Sequence, residues 1–133
     1  MKMRTVLLVD DESVIREGCR RAFSAAGYRA LTAANGREAL DLLASEPISA
    51  ILCDLKMPVM GAIKVLDEVV AGYPHVPVII ITGHGTVASA VECIKKGAYD
   101  FITKPFRIDH LILVVQRAID KLPPLRRFEK LPF

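Results

Sequence analysis

The sequence predicts an α/β protein built on an open, doubly wound parallel sheet of five strands. Three observations carry that expectation. Short unalternated apolar runs recur at Val6-Leu7-Leu8-Val9, Ala50-Ile51-Leu52-Cys53 and Val78-Ile79-Ile80-Ile81, as strands buried on both faces require. Segments with helical spacing of apolar residues separate the runs, and parallel strands need such crossovers. Polar residues stand at the ends of the runs: Asp10-Asp11, Asp54, Thr82 and Lys104. Open parallel sheets bind ligands at the carboxyl ends of their strands.

The first strand is expected over about Thr5 to Val9. A helix follows from about Ser13, with Val14, Ile15, Cys19, Ala22, Phe23 and Ala26 on one face and Gly27 at its end. The second strand, Tyr28 to Ala33, is less apolar and reads as an edge strand. Asn35-Gly36 marks a turn into a short helix with Ala39, Leu40 and Leu43 inward. The third strand, Ser49 to Cys53, ends at Asp54. Ile63, Leu66, Val69 and Val70 mark a third helix that stops by Gly72-Tyr73-Pro74. The fourth strand is Val78 to Ile81. The fourth helix turns Val87, Ala90, Val91 and Ile94 inward and ends at Gly97. The fifth strand is Tyr99 to Ile102. The last helix places Ile108, Leu111, Ile112, Val115 and Ile119 at helical spacing, and Pro123-Pro124 ends it. Leu113 and Val114 extend its apolar surface beyond one stripe, as a partner surface would.

With 133 residues, the chain is read as one domain over 1–121 and a tail, or the start of a linker to an effector domain, over 122–133. An apolar share of 52% argues against disorder. No apolar stretch approaches the ~20 residues that span a bilayer, and the start lacks a secretory layout. Cys19, Cys53 and Cys93 have no metal-like spacing and are read as reduced packing residues of a cytoplasmic protein. A reactive thiol at Cys53, beside Asp54, is the alternative. The formal charge of +3 lies wholly in residues 121–133, where Lys121, Arg126, Arg127 and Lys130 face Glu129. The first 120 residues are neutral, so charge gives the body no nucleic-acid surface. His75, His84 and His110 fall in no metal-ligand spacing.

Acids from neighbouring strands suit Mg²⁺, which prefers oxygen ligands. A carboxylate can also act as a nucleophile toward phosphorus. Asp54 is chosen for that role because it stands alone at the middle strand, facing Asp10 and Asp11. Clustered carboxylates raise one another's pKa, and a divalent cation with Lys104 offsets the repulsion. Lys104 and the Thr82 hydroxyl can bind phosphoryl oxygens. Each piece has an ordinary reading as well. Asp11 or Ser13 can cap a helix, Thr82 can be a strand former bonded locally, and Lys104 can be a solvated turn residue.

The segments Val6-Leu7-Leu8-Val9-Asp10-Asp11-Glu12, Asp54-Leu55-Lys56-Met57-Pro58, Ile81-Thr82-Gly83-His84-Gly85 and Lys96 to Phe106 resemble the receiver domains of two-component response regulators. The resemblance covers about residues 4–121. It implies a flavodoxin-like fold, (βα)5, with strand order 2-1-3-4-5. It implies that Asp54 accepts phosphate from a histidine kinase, and that Asp10, Asp11, Asp54 and the backbone carbonyl of Lys56 hold Mg²⁺. Thr82 and Lys104 would contact the phosphoryl group, and Thr82 and Phe101 would form the switch. Lys104-Pro105 would be a cis bond. Lys56 and His84 would tune the lifetime of the phosphate. The fourth helix, fifth strand and fifth helix would form an output and homodimer face, with control of transcription one outcome. The chain departs from the family's Met-Pro-x-Met-Asp-Gly pattern with Met57-Pro58-Val59-Met60-Gly61-Ala62. Either the loop is reshaped or Gly61 takes the strained turn. Two alternatives are an aspartyl-nucleophile phosphatase or phosphotransferase, and a stand-alone signalling adaptor. The enzyme needs a second acid two residues after the nucleophile, where this chain has Lys56. A nucleotide- or flavin-binding module needs a glycine-rich loop where Asp10-Asp11-Glu12 stands.

Overall fold

The computed structural model describes residues 3–57, 60–83 and 87–125. Five strands alternate with five helices: β1 (Thr5–Val9), α1 (Ser13–Ala25), β2 (Arg29–Ala33), α2 (Gly36–Ser45), β3 (Ala50–Asp54), α3 (Ala62–Gly72), β4 (Val78–Thr82), α4 (Val87–Lys95), β5 (Asp100–Thr103) and α5 (Ile108–Ile119). The strands form one parallel sheet in the order β2-β1-β3-β4-β5. This is the flavodoxin-like order the resemblance implies, with the less apolar β2 at an edge and β3 in the centre.

Side chains alternate between two cores, as the two-residue period of a strand requires. Leu7, Val9, Ile51, Cys53, Val78, Ile80 and Phe101 meet α2, α3 and α4. Val6, Leu8, Ala50, Leu52, Ile79, Ile81 and Ile102 meet α1 and α5. Phe23 of α1 is fully buried and packs edge-on against Tyr28, with ring centroids 5.5 Å apart.

Several expected faces differ. Val14 is 80% exposed and Ala26 is exposed, because α1 turns only Cys19 and Phe23 fully inward. Ile63 and Val70 of α3, and Ile108 of α5, are also exposed, whereas Val114 is core. Periodicity finds the apolar stripe, but a residue at the stripe's margin lies beyond the sheet's edge. Asp11 and Ser13 do not cap α1. Glu12 occupies the cap position without a side-chain bond, and Ser13 is already helical. Asp54 and Thr82 are the last residues of their strands rather than the first beyond them.

Helices α1, α4 and α5 end alike. The amide two residues past the cap reaches back to the carbonyl five residues earlier: Tyr28 to Phe23, Ala98 to Cys93, and Leu122 to Arg117. This Schellman arrangement needs a positive φ just past the cap. Gly27 (φ 97°) and Gly97 (φ 115°) supply it for α1 and α4, and Lys121 (φ 61°) supplies it for α5. So α5 stops before Pro123-Pro124, which only confirm an end already made.

In the loop after β3 neither Gly61 nor Ala62 is strained. Gly61 is extended (φ −73°) and Ala62 opens α3. The positive φ falls on Met60 (49°). Opposite it stands Gly36, at the start of α2. A β-carbon there would lie 2.8 Å from the Met60 γ-carbon and closer still to the Met60 carbonyl oxygen. The start of α2 cannot retreat. Asn35 Oδ1 accepts from the Glu38 amide (3.0 Å), and Glu38 Oε1 accepts from the Ala34 amide (2.8 Å), a reciprocal cap. Gly36→Ala is therefore expected to destabilise the domain by about 1–3 kcal/mol through overpacking. Urea unfolding measures this, and an unchanged midpoint would contradict the packing described.

Candidate functional site

Four of the polar strand ends meet at the C-terminal rim of the sheet. β1 delivers Asp10, β3 delivers Asp54, β4 delivers Thr82 and β5 delivers Lys104. The register explains the convergence: Asp54 lies beside Ile81, Ile81 beside Ile102 and Thr82 beside Thr103, so Thr82 stands one residue and Lys104 two residues beyond the level of Asp54, all at the same rim. Backbone bonds past the strands fix it, Leu55 amide to Ile81 carbonyl at 2.8 Å and Lys104 amide to Thr82 carbonyl at 2.7 Å. Lys104-Pro105 is cis, as the resemblance implies.

Lys104 Nζ lies 3.5 Å from Asp54 Oδ1, 3.8 Å from Asp10 Oδ2 and 3.9 Å from Glu12 Oε1. Asp10 and Asp54 are nearly inaccessible, at 4% and 6%. Asp11 and Glu12 are exposed. Asp10 Oδ1 accepts from the Glu12 amide at 2.9 Å, while its Oδ2 is buried with no hydrogen-bond partner among the described residues. Burial pushes the carboxyls of both Asp10 and Asp54 above the ordinary range, and Asp10 adds its own repulsion to Asp54. Lys104 lowers both only in part. Burial pulls the Lys104 ammonium down, but Asp54, Asp10 and Glu12 together outweigh it and hold it up. The site therefore carries more negative charge than its one lysine balances.

Asp10, Asp11 and Glu12 each place a carboxylate oxygen within 4.8 Å of the others. An all-oxygen set in which one buried oxygen accepts no hydrogen bond among the described residues fits a hard divalent cation. Glu12 is the member the sequence reasoning left without a role, although it completes the acidic run. Asp54 lies outside that group and meets it through Lys104. Arg16 was missed too. Its guanidinium donates to the Asp10 carbonyl at 2.7 Å and pins the acidic turn.

Other expected residues are placed as follows. The Thr82 hydroxyl is buried and donates to the Gly83 carbonyl at 3.4 Å. Lys56 is exposed. Phe101 is already in the core, at 4% exposure. The Cys53 thiol is fully buried and burial drives its pKa up, so it packs rather than reacts. All three cysteines are free and buried. His84 and the Pro58-Val59 pair lie outside the described residues, as do Arg126, Arg127 and Lys130. No helix among the described residues is long and apolar enough to cross a membrane.

The five-stranded parallel sheet in this order, with an acidic cluster at its C-terminal rim among the described residues, agrees with the receiver class that the resemblance implies. The chain belongs to the response regulator receiver domain family, whose profile matches residues 6–116. It is 42% identical over 122 residues to an NtrX-like response regulator of Rickettsia bellii (strain RML369-C), covering 90% of this chain and 26% of that one. It is 40% identical over 119 residues to the DNA-binding transcriptional regulator NtrC of Escherichia coli (strain K12), covering 90% and 25%. The crystal structure of the receiver domain of NtrX from Brucella abortus superposes with a TM-score of 0.83 at 37% identity, covering 86% of this chain and 98% of that one. The chain thus spans about a quarter of the length of the curated relatives it matches.

Proposed function

We propose that this receiver takes a phosphoryl group onto Asp54 from the phosphohistidine of a histidine kinase, in a Mg²⁺-dependent step. The observation that carries the reading is the buried Asp54 carboxylate held 3.5 Å from Lys104, beside a buried Asp10 oxygen that has no hydrogen-bond partner among the described residues. Asp10, Asp11 and Asp54 would hold Mg²⁺ with the Lys56 carbonyl, and Glu12 stands close enough to join or replace one of them. When bound, the ion supplies positive charge against the carboxylates and the incoming phosphoryl oxygens. An Asp54 oxygen attacks phosphorus and forms an acyl phosphate. The P–N bond to the donor imidazole breaks, and that nitrogen takes a proton on leaving. Lys104 neutralises charge on the phosphoryl oxygens, and the Thr82 hydroxyl turns from the Gly83 carbonyl to donate to one of them. Because Phe101 is already buried, its part in the switch is a repacking against Ile80 and Ala90 of its own core.

The domain proper is taken as residues 1–121, with 122–133 leading toward an effector domain. The phosphorylated receiver would act from the cytoplasm through α4, β5 and α5, where Ile108 and Leu113 stand exposed for pairing with a second copy. Control of transcription is the output the relatives suggest. Lys56, in place of a second acid, speaks against a hydrolytic enzyme.

Incubation with acetyl phosphate and Mg²⁺, followed by intact-mass measurement, tests the reading. One phosphoryl adduct is expected, lost when EDTA replaces the metal. An adduct of equal yield in EDTA would overturn the metal's part, and no adduct in either would overturn the acceptor.

A further inference from the structure

Strand β5 has the site at one end and a second set of contacts at the other. Its entry residue, Tyr99, donates its hydroxyl to the Leu122 carbonyl at 2.7 Å. Arg117 Nη2 donates to the Pro123 carbonyl at 2.9 Å, one turn from the end of α5. Lys121 Nζ donates to the His75 carbonyl at 2.5 Å, in the loop that enters β4. The Leu122 amide closes the helix end on the Arg117 carbonyl at 2.9 Å. Leu122 is therefore bonded to the residue that leads into β5, Pro123 to α5, and Lys121 to the loop before β4.

The choice of residue at the helix end bears on this. α1 and α4 meet the same backbone requirement with glycine, but α5 meets it with Lys121. A side chain at φ 61° is disfavoured, and here that side chain makes the third tie. Glycine would satisfy the helix end alone.

We propose that Tyr99, Arg117 and Lys121 form an exit clamp that fixes the direction in which the chain leaves the receiver, and that Tyr99 couples this direction to the site through β5. The coupling rests on the phosphoacceptor reading above; the clamp does not. A phosphoryl group that engages Lys104, the residue just past β5, displaces the end of a strand only four residues long, and Tyr99 immediately precedes that strand. The Tyr99 bond already lies at the preferred O–H···O length. Displacement in either direction weakens it, so phosphorylation loosens the exit. Tyr99 is a positioning residue; it touches no reacting atom.

Amide hydrogen exchange on the whole chain tests both parts, with intact mass recording the adduct. Tyr99→Phe removes only the hydroxyl. It is expected to speed exchange at Leu122 about fivefold, the loss of one hydrogen bond, while the adduct with acetyl phosphate and Mg²⁺ forms as before. Lys121→Gly keeps the helix end but frees the His75 carbonyl, and is expected to speed exchange at Leu122 similarly. Phosphorylation of the unaltered chain is expected to speed the same amide, and to add little in Tyr99→Phe. Unchanged exchange at Leu122 in both variants would overturn the clamp. An adduct on the unaltered chain without a change at Leu122 would overturn the coupling and leave the acceptor standing. Absence of the adduct would overturn the coupling together with the acceptor reading.

Discussion

Asp54→Asn is expected to abolish the phosphoryl adduct and, in the absence of metal, to make the domain more stable than the native sequence. The two effects share one cause. A carboxylate able to attack phosphorus must stay ionised in a site that desolvates it and sets it beside Asp10. Its folded-state pKa is raised above the unfolded value, so its protonated form favours folding. That contribution is full below the unfolded pKa of about 4 and is lost as pH rises through the higher folded value. Asparagine has nearly the same shape and never ionises. The stability gain of Asp54→Asn over the native chain should therefore grow as pH rises from about 4 and level off once Asp54 is ionised. Lys104 keeps Asp10 and Glu12 as partners in the variant. Mg²⁺ should shrink the gain, since it binds the native site more tightly and stabilises only what it binds. Urea unfolding of both chains between acid and neutral pH, with and without Mg²⁺, measures this. A variant less stable than the native chain at neutral pH without metal would contradict the electrostatic account.

Phe23→Ala should have the largest effect on stability. Phe23 is fully buried between α1 and the sheet and meets Tyr28 edge to face. Cys19 is the other buried residue of α1, and the partly buried Ile15 packs against the same core, so Phe23 is the largest side chain that anchors the helix. Truncation removes the ring's transfer energy and leaves a cavity in the core that α1 shares with the sheet and α5. A loss of about 3–5 kcal/mol is expected, a large part of the roughly 5–15 kcal/mol that holds a domain folded. The melting temperature should fall on the order of 12–20 °C, at about 4 °C per kcal/mol for a domain this size. Calorimetry checks it, and a fall of only a few degrees would show that α1 is held elsewhere.

The fold was legible because its strands are buried on both faces. Val6-Leu7-Leu8-Val9 and Val78-Ile79-Ile80-Ile81 admit no solvent face, so crossovers and a parallel sheet follow. The site was legible for a related reason: in such a sheet the ends of strands share a rim, and Asp10, Asp54, Thr82 and Lys104 each end an apolar run. What remained hidden depends on geometry that periodicity does not carry. Val14 satisfies helical spacing yet stands in solvent, since spacing does not say where the sheet's edge falls. Met60 takes the left-handed turn although Gly61 adjoins it, and it packs against Gly36, twenty-four residues earlier in the chain. Glu12 joins the acidic group through the turn of its backbone, and Tyr99 reaches Leu122 across the base of the domain. The acidic run hints at the first of these, but the Tyr99 contact leaves no trace in local sequence.

The proposed function rests on one carboxylate becoming an acyl phosphate. Borohydride reduction of the phosphorylated chain converts an aspartyl phosphate to homoserine, and peptide mass mapping locates it. Homoserine at position 54 alone is the result predicted. Homoserine at position 10 or 11, or at any other aspartate, would contradict the assignment of Asp54 as the residue that bears the signal.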